Sequence, residues 1–213
     1  MLQFITNASD RESILKQIRE VIEGGCTWIQ LRMKDAEISK IKEVAKEAKE
    51  ICKEKECILI IDDHVEIAKE LELNGVHLGK NDMPVAEARE LLGAEFIIGA
   101  TANTFEDIEA LRYQDIDYIG LGPFRFTTTK KNLSPVIGLE GYKGIVEKKL
   151  NAEIEIPLVA IGGIEYEDIQ EIMNTGIDGI AVSGSLIKTD DTIKETEKYI
   201  SLLETIKIQR YGE

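Results

Sequence analysis

Asp63 and Asp82 are the residues of this chain whose type and spacing point most directly to chemistry. Each closes a strand-like run, Ile58-Leu-Ile-Ile-Asp-Asp63 and Gly75-Val-His-Leu-Gly-Lys-Asn-Asp82. Between the runs lies Val65-Glu-Ile-Ala-Lys-Glu-Leu71, short and helix-like. A strand–helix–strand unit makes the two strands parallel. Adjacent strands lie about 4.8 Å apart, so both carboxylates come to one rim. There they repel each other unless a proton or a cation intervenes. Their hard oxygen atoms suit Mg2+ better than zinc, and Mg2+ takes its remaining ligands from water and substrate phosphates.

Other residues sort around that pair. Gln30, Arg32 and Lys34 alternate at strand spacing, so their side chains are expected on one face. Two cations pointing into a closed mouth need anionic partners. With the two-carboxylate metal site they point to a pyrophosphate. A competing reading pairs Arg32 and Lys34 with Asp62 and Asp63 in a structural network, and these strands alone do not choose between the two. Gly162-Gly163 and Ser183-Gly184 follow later strands, where glycines let backbone N–H groups approach a phosphate. Thr127, Thr129 and Lys130 add two hydroxyls and a charge from a loop. His77 is expected as a packing residue, His64 as the start of a helix, and Trp28 between a barrel and its helices.

The elements that must hold these groups repeat regularly. Strand-like runs fall at 2–6, 27–33, 57–62, 75–79, 96–101, 117–122, 157–162 and 179–183, with helix-like stretches between them. Ile14, Ile18, Val21 and Ile22 follow a helical spacing, as do Ile41, Val44, Ala45 and Ala48. A terminal helix is expected from Asp191 to about Ile208, with Ile193, Tyr199, Leu202 and Leu203 inward and a frayed tail over 209–213. Continuous apolar runs such as Pro157-Leu-Val-Ala-Ile161 read as strands buried on both faces, hence parallel. Eight such units in 213 residues predict an α/β fold, a single-domain (β/α)8 TIM barrel spanning 1–213. A doubly wound sheet is the runner-up, but the first turn, Asn7-Ala-Ser-Asp10, lacks the glycines of a dinucleotide site. The long connection Phe124–Ile137 reads as a functional lid.

Composition sets outer bounds. The apolar share of 43% suits a folded chain. A formal net charge of −14 argues against nucleic-acid or anionic-lipid partners while leaving room for a local cationic pocket. Cys26, Cys52 and Cys57 form no Cys-x-x-Cys pair and read as buried thiols of a reducing cytoplasm. No apolar run approaches the roughly 20 residues of a membrane span. The first residues pass directly into a strand-like run without the marks of a signal peptide.

Taken in order, Gln30-Leu-Arg32-Met-Lys34, Ile61-Asp-Asp63, Gly75-Val-His-Leu-Gly-Lys-Asn-Asp82, Gly120-Leu-Gly-Pro123, Thr127-Thr-Thr-Lys130, Val159-Ala-Ile-Gly-Gly-Ile164 and Gly179-Ile-Ala-Val182 resemble the thiamine phosphate synthase family. The resemblance implies a transferase of thiamine biosynthesis. It would join 4-amino-5-hydroxymethyl-2-methylpyrimidine pyrophosphate to a thiazole phosphate, plain or carboxylated, and release pyrophosphate. It places Mg2+ on Asp63 and Asp82. Gln30, Arg32, Lys34 and Lys130 match pyrimidine-pyrophosphate positions. Thr127, Thr129, Gly163, Ser183 and Gly184 match thiazole-phosphate positions. Thr101 stands where the family commonly has a serine near the leaving group. The resemblance further implies dissociative chemistry in which Lys130, Thr101 and Arg32 stabilise the leaving group. Asp62 departs from a usual asparagine, His64 from an arginine, Lys80 from a glutamine and Phe126 from a proline. The rivals are a related thiazole tautomerase, which the resemblance associates with loss of the aspartates and a histidine near Asn103, and a non-catalytic phosphate-binding barrel. A monomer and a homodimer fit the sequence equally.

Overall fold

Short apolar runs, closed by Asp, Asn and Gly, become strands wherever both of their faces can be covered. The computed structural model describes residues 1–126 and 135–212. Its strands are β1 (Leu2–Ile5), β2 (Trp28–Leu31), β3 (Ile58–Asp62), β4 (Gly75–Leu78), β5 (Ile97–Ala102), β6 (Tyr118–Leu121), β7 (Leu158–Ile161) and β8 (Gly179–Val182). All pair in parallel in sequence order, and β8 returns to β1 through Leu2↔Ile180 and Phe4↔Val182, which closes the barrel. The helices are α1 (Arg11–Glu23), α2 (Ile38–Glu54), α3 (Val65–Glu70), α4 (Val85–Leu92), α5 (Phe105–Leu111), α6 (Gly138–Asn151), α7 (Ile169–Asn174), α8 (Gly184–Ile187) and α9 (Thr192–Tyr211).

Period-two alternation divides the buried side chains into two sets. Phe4, Ile29, Leu59, Ile61, Ile98, Ile119 and Ile180 pack outward against helix residues such as Ile14, Ile18, Val44 and Ala48. Ile5, Trp28, Ile60, Tyr118, Val159 and Ala181 form a smaller cluster inside the barrel. Full burial of one large apolar side chain contributes about 1.5–3 kcal/mol, so the outer layer dominates stability. Trp28 corrects the sequence expectation: it lies inside the barrel rather than beneath the helices. It shares parity with Gln30, so the alternation that turns Gln30 inward turns Trp28 inward too.

The helices follow local signals. Asp10 caps α1 by accepting from the Ser13 N–H at 2.8 Å. His64 occupies the N-cap position of α3, as expected. The final helix runs to Tyr211, beyond the expected end near Ile208, with Gly212 left-handed at its C-cap. Arg210 ties the last turn to the fold by donating to the carbonyls of Ile177 and Met173. Thr196, Tyr199, Leu203 and Ile206 make its buried stripe, whereas Ile193 and Leu202 are only half-buried.

Candidate active site at the barrel mouth

The C-terminal strand ends collect the polar residues, each placed by the register. Asp62, the last residue of β3, receives Gln30 Nε2 at 2.6 Å on Oδ1 and Arg32 Nε at 3.0 Å on Oδ2. Both donors come from the end of β2, so Asp62 is an orienting partner for them, and the expected ion pairing of Arg32 with this acid is present. Lys34 corrects its expectation. Strand β2 stops at Leu31, Met33 is buried, and Lys34 falls in an exposed turn beside the left-handed Asp35. The alternation that aligned Lys34 with Gln30 and Arg32 ends three residues short of Lys34.

Asp63 follows in the left-handed region, at φ 63°, a conformation Asp tolerates better than most residues. Its N–H donates to the His77 carbonyl at 2.9 Å. Its carboxyl meets that of Asp82 within hydrogen-bond range, so the two acids predicted to share a rim do. Asp82 is fixed in turn, for its Oδ2 accepts from the Gly79 N–H at 2.6 Å. A Cβ at Gly79 would stand 2.7 Å from that oxygen, so glycine is what lets the carboxylate fold back. Desolvation, then the charge of Asp62, then Asp82 push the Asp63 carboxyl up to about 8. Two hard acceptors sharing one proton are a donor set that fits a divalent cation. Among the described residues no group of three or more His, Cys, Asp or Glu is placed to hold a metal, so this pair offers two protein ligands and no more.

Thr101 stands half-buried in β5, with its Oγ1 2.9 Å from His77 Nε2. The other ring nitrogen of His77 lies 2.9 Å from the Tyr118 hydroxyl, which accepts from Gln3 Nε2 at 3.1 Å. His77 is a satisfied packing residue as expected, and its partners also link Thr101 to the barrel interior. Sequence reasoning passed over Gln3 and Tyr118. The available signal was a polar residue at the inward parity of an otherwise apolar strand. Asn103 donates to the Gly122 carbonyl at 2.5 Å, and Lys80 pairs with Asp107 at 2.6 Å, away from the acids.

Across the mouth, Gly162 (φ 98°) and Gly163 (φ 72°) turn the chain out of β7. A Cβ on Gly162 would stand 2.8 Å from Pro123. Arg125 donates to the Gly163 carbonyl at 2.7 Å and pairs with Asp168. Ser183 and Gly184 lead into α8, and the Lys188 side chain folds over Gly184, its Nζ 3.3 Å from where a Cβ would sit. Arg125 and Lys188 are cations near the expected anion site that the strand-end motifs did not indicate. The base of the Phe124–Ile137 connection is pinned. Phe124 and Arg125 donate to Ile161 and Gly162, and Ile137 and Gly138 donate to Pro123 and Phe124. Thr127, Thr129 and Lys130 lie outside the described residues.

Fold and site together define a (β/α)8 barrel with acids, cations and hydroxyls gathered at its C-terminal mouth, the face barrel enzymes use. Compared with protein families, residues 2–186 match thiamine monophosphate synthase. A thiamine-phosphate synthase of Bacteroides thetaiotaomicron is 55% identical over 97% of this chain and 99% of its own. One of Bacteroides fragilis is 56% identical over 94% and 98%. The solved thiamine phosphate pyrophosphorylase of Pyrococcus furiosus superposes with a TM-score of 0.83 at 35% identity, covering 96% of both chains. The chain belongs to the thiamine monophosphate synthase family, and with it to the transferases. No helix among the described residues is long and apolar enough to cross a membrane.

Proposed function

We propose that the mouth joins a pyrimidine carrying a pyrophosphate, 4-amino-5-hydroxymethyl-2-methylpyrimidine pyrophosphate, to a thiazole phosphate, giving thiamine phosphate and pyrophosphate. The observation that carries this reading is the contact between Asp63 and Asp82 beside the Gln30–Asp62–Arg32 cluster. Asp63 and Asp82 would hold Mg2+, which when bound supplies charge neutralisation to the pyrophosphate.

In the proposed reaction the methylene carbon–oxygen bond breaks, the electron pair leaves with pyrophosphate, and the electron-rich aminopyrimidine carries the resulting cation. The thiazole nitrogen then forms the new carbon–nitrogen bond. No strong general base is needed. The chain's work is to orient, stabilise leaving-group charge and exclude water. Asp62 keeps Arg32 and Gln30 aimed at the mouth, and Thr101 offers a hydroxyl beside the leaving group. The turns at Gly163 and at Ser183-Gly184, near Arg125 and Lys188, suit the thiazole phosphate. Thr127, Thr129 and Lys130 enter from the family resemblance. Free, buried Cys26, Cys52 and Cys57 support a reducing, cytoplasmic setting. The tautomerase alternative is disfavoured by the presence of both aspartates and by Asn103 in place of a histidine.

Incubation of the protein with both substrates and Mg2+ should give thiamine phosphate. Asp82→Ala should lower the rate on the order of 100-fold or more with an unchanged circular dichroism spectrum. Full turnover by that variant without added metal would defeat the metal role, and no product from the parent chain would defeat the synthase reading.

A further inference from the structure

We infer that Gln3 and Tyr118 are positioning residues: acting through His77, they turn the Thr101 hydroxyl so that it donates its hydrogen into the mouth. The inference rests on the reading above, in which an anionic leaving group meets Thr101.

The argument follows donors and acceptors through the barrel interior. Gln3 and Tyr118, exposed by only 2% and 3%, cannot turn to water for partners. Gln3 Nε2 donates to the Tyr118 hydroxyl at 3.1 Å. That hydroxyl still carries one hydrogen, and the acceptor beside it is His77 Nδ1 at 2.9 Å. A buried donor left unused is costly, so the phenol donates and Nδ1 accepts. The neutral imidazole then carries its hydrogen on Nε2. Nε2 faces Thr101 Oγ1 at 2.9 Å, so that oxygen accepts from inside. The threonine's own hydrogen must rotate outward, toward the mouth. A doubly protonated His77 would break the chain, because Tyr118 would receive two donors and have no use for its own hydrogen.

The barrel is shaped around these rings. His77 pairs in register with Gly99, Gly99 with Tyr118, and Thr101 with Gly120. A Cβ on Gly99 would stand 2.1 Å from the Tyr118 ring, and one on Gly120 would stand 2.9 Å from His77 Cε1. Trp28 braces the Tyr118 ring edge-on at 4.8 Å between centroids. Two absent side chains and one large one therefore set where the rings lie, and ring position sets the chain of donors.

Nitrogen-15 NMR of the imidazole-labelled full chain reads the tautomer directly. The expected result is a hydrogen on Nε2 of His77 and none on Nδ1, and the opposite assignment would overturn the inference. In kinetics, Tyr118→Phe should lower kcat roughly 5-fold, the equivalent of one ordinary hydrogen bond, with KM nearly unchanged. Because the effect passes through Thr101, the double variant Tyr118→Phe/Thr101→Val should be no slower than Thr101→Val alone, while Thr101→Ser should keep most of the rate. Losses that multiply in the double variant would overturn the inference. Gln3→Met repeats the comparison should Tyr118→Phe fold poorly. If the parent chain made no thiamine phosphate, the functional reading would fall, and the NMR result would still decide the orientation by itself.

Discussion

Asp63 carries a conflict that a cation would resolve. Its carboxyl stands at about 8 against an ordinary 3.8, raised by desolvation and by the two neighbouring acids. The native state therefore binds a proton that the unfolded chain has already released. Its contribution to stability is greatest below the ordinary value and declines as pH rises from about 4 toward 8. On the proposed reading, a divalent cation would take the place of that proton. The expected outcome is a melting temperature that falls between pH 5 and 8 in chelator, with a Mg2+-dependent recovery that grows over the same interval. Asp63→Asn should remove the decline and the recovery together, and differential scanning calorimetry checks both. Arg32 makes a related point. Its guanidinium is engaged by Asp62, so its charge reaches a ligand already partly offset. Pyrophosphate binding should therefore depend on metal more steeply than an unpaired arginine would make it.

Turns and caps decide where those residues stand. Asp107, at the start of α5, accepts from the Asn103 and Thr104 N–H groups and from Lys80, while Thr104 accepts from Asp107 in a reciprocal cap. Partial burial pulls its carboxyl upward, but Lys80 and the backbone donors hold it below the ordinary value. Asp107→Ala should cost about 1–2 kcal/mol in urea unfolding at neutral pH. The difference should vanish as pH falls through the depressed native value, where the parent loses the same bonds. Much at this scale was legible beforehand. Each observed strand lies within two residues of its predicted run, because apolar runs closed by Asp and Gly allow little else. Asp63 and Asp82 were expected to meet because consecutive parallel strands must be neighbours. The misses have equally local causes. Lys34 depended on β2 continuing past Leu31, and Trp28 on carrying the inward parity back one step. The stripe of α9 depended on which of several adjacent apolar residues the neighbouring helices would cover. The link from Gln3 to Tyr118 joins β1 to β6, and nothing short of barrel closure brings residues 115 apart in sequence together.

The barrel as a whole is stabilised by its outer layer. Phe4, fully buried between β1 and the helices, should cost about 3–5 kcal/mol when cut to alanine, a large share of the 5–15 kcal/mol typical of native proteins. Its melting temperature should fall steeply without change in substrate affinity at temperatures where the variant remains folded. Closure has a further consequence, for the chain during its own synthesis. The amino group of Met1 reaches the Asp178 carbonyl, 177 residues away, and Leu2 pairs with Ile180. The first strand made thus waits for the last. Until β8 leaves the ribosome, β1 has β2 on one side and an unpaired edge on the other, and such edges invite association between nascent chains. The same long-range pairing that gives the mouth its ring of eight strand ends makes this a slow-folding topology, one in which the final fifth of the chain completes what the first tenth began.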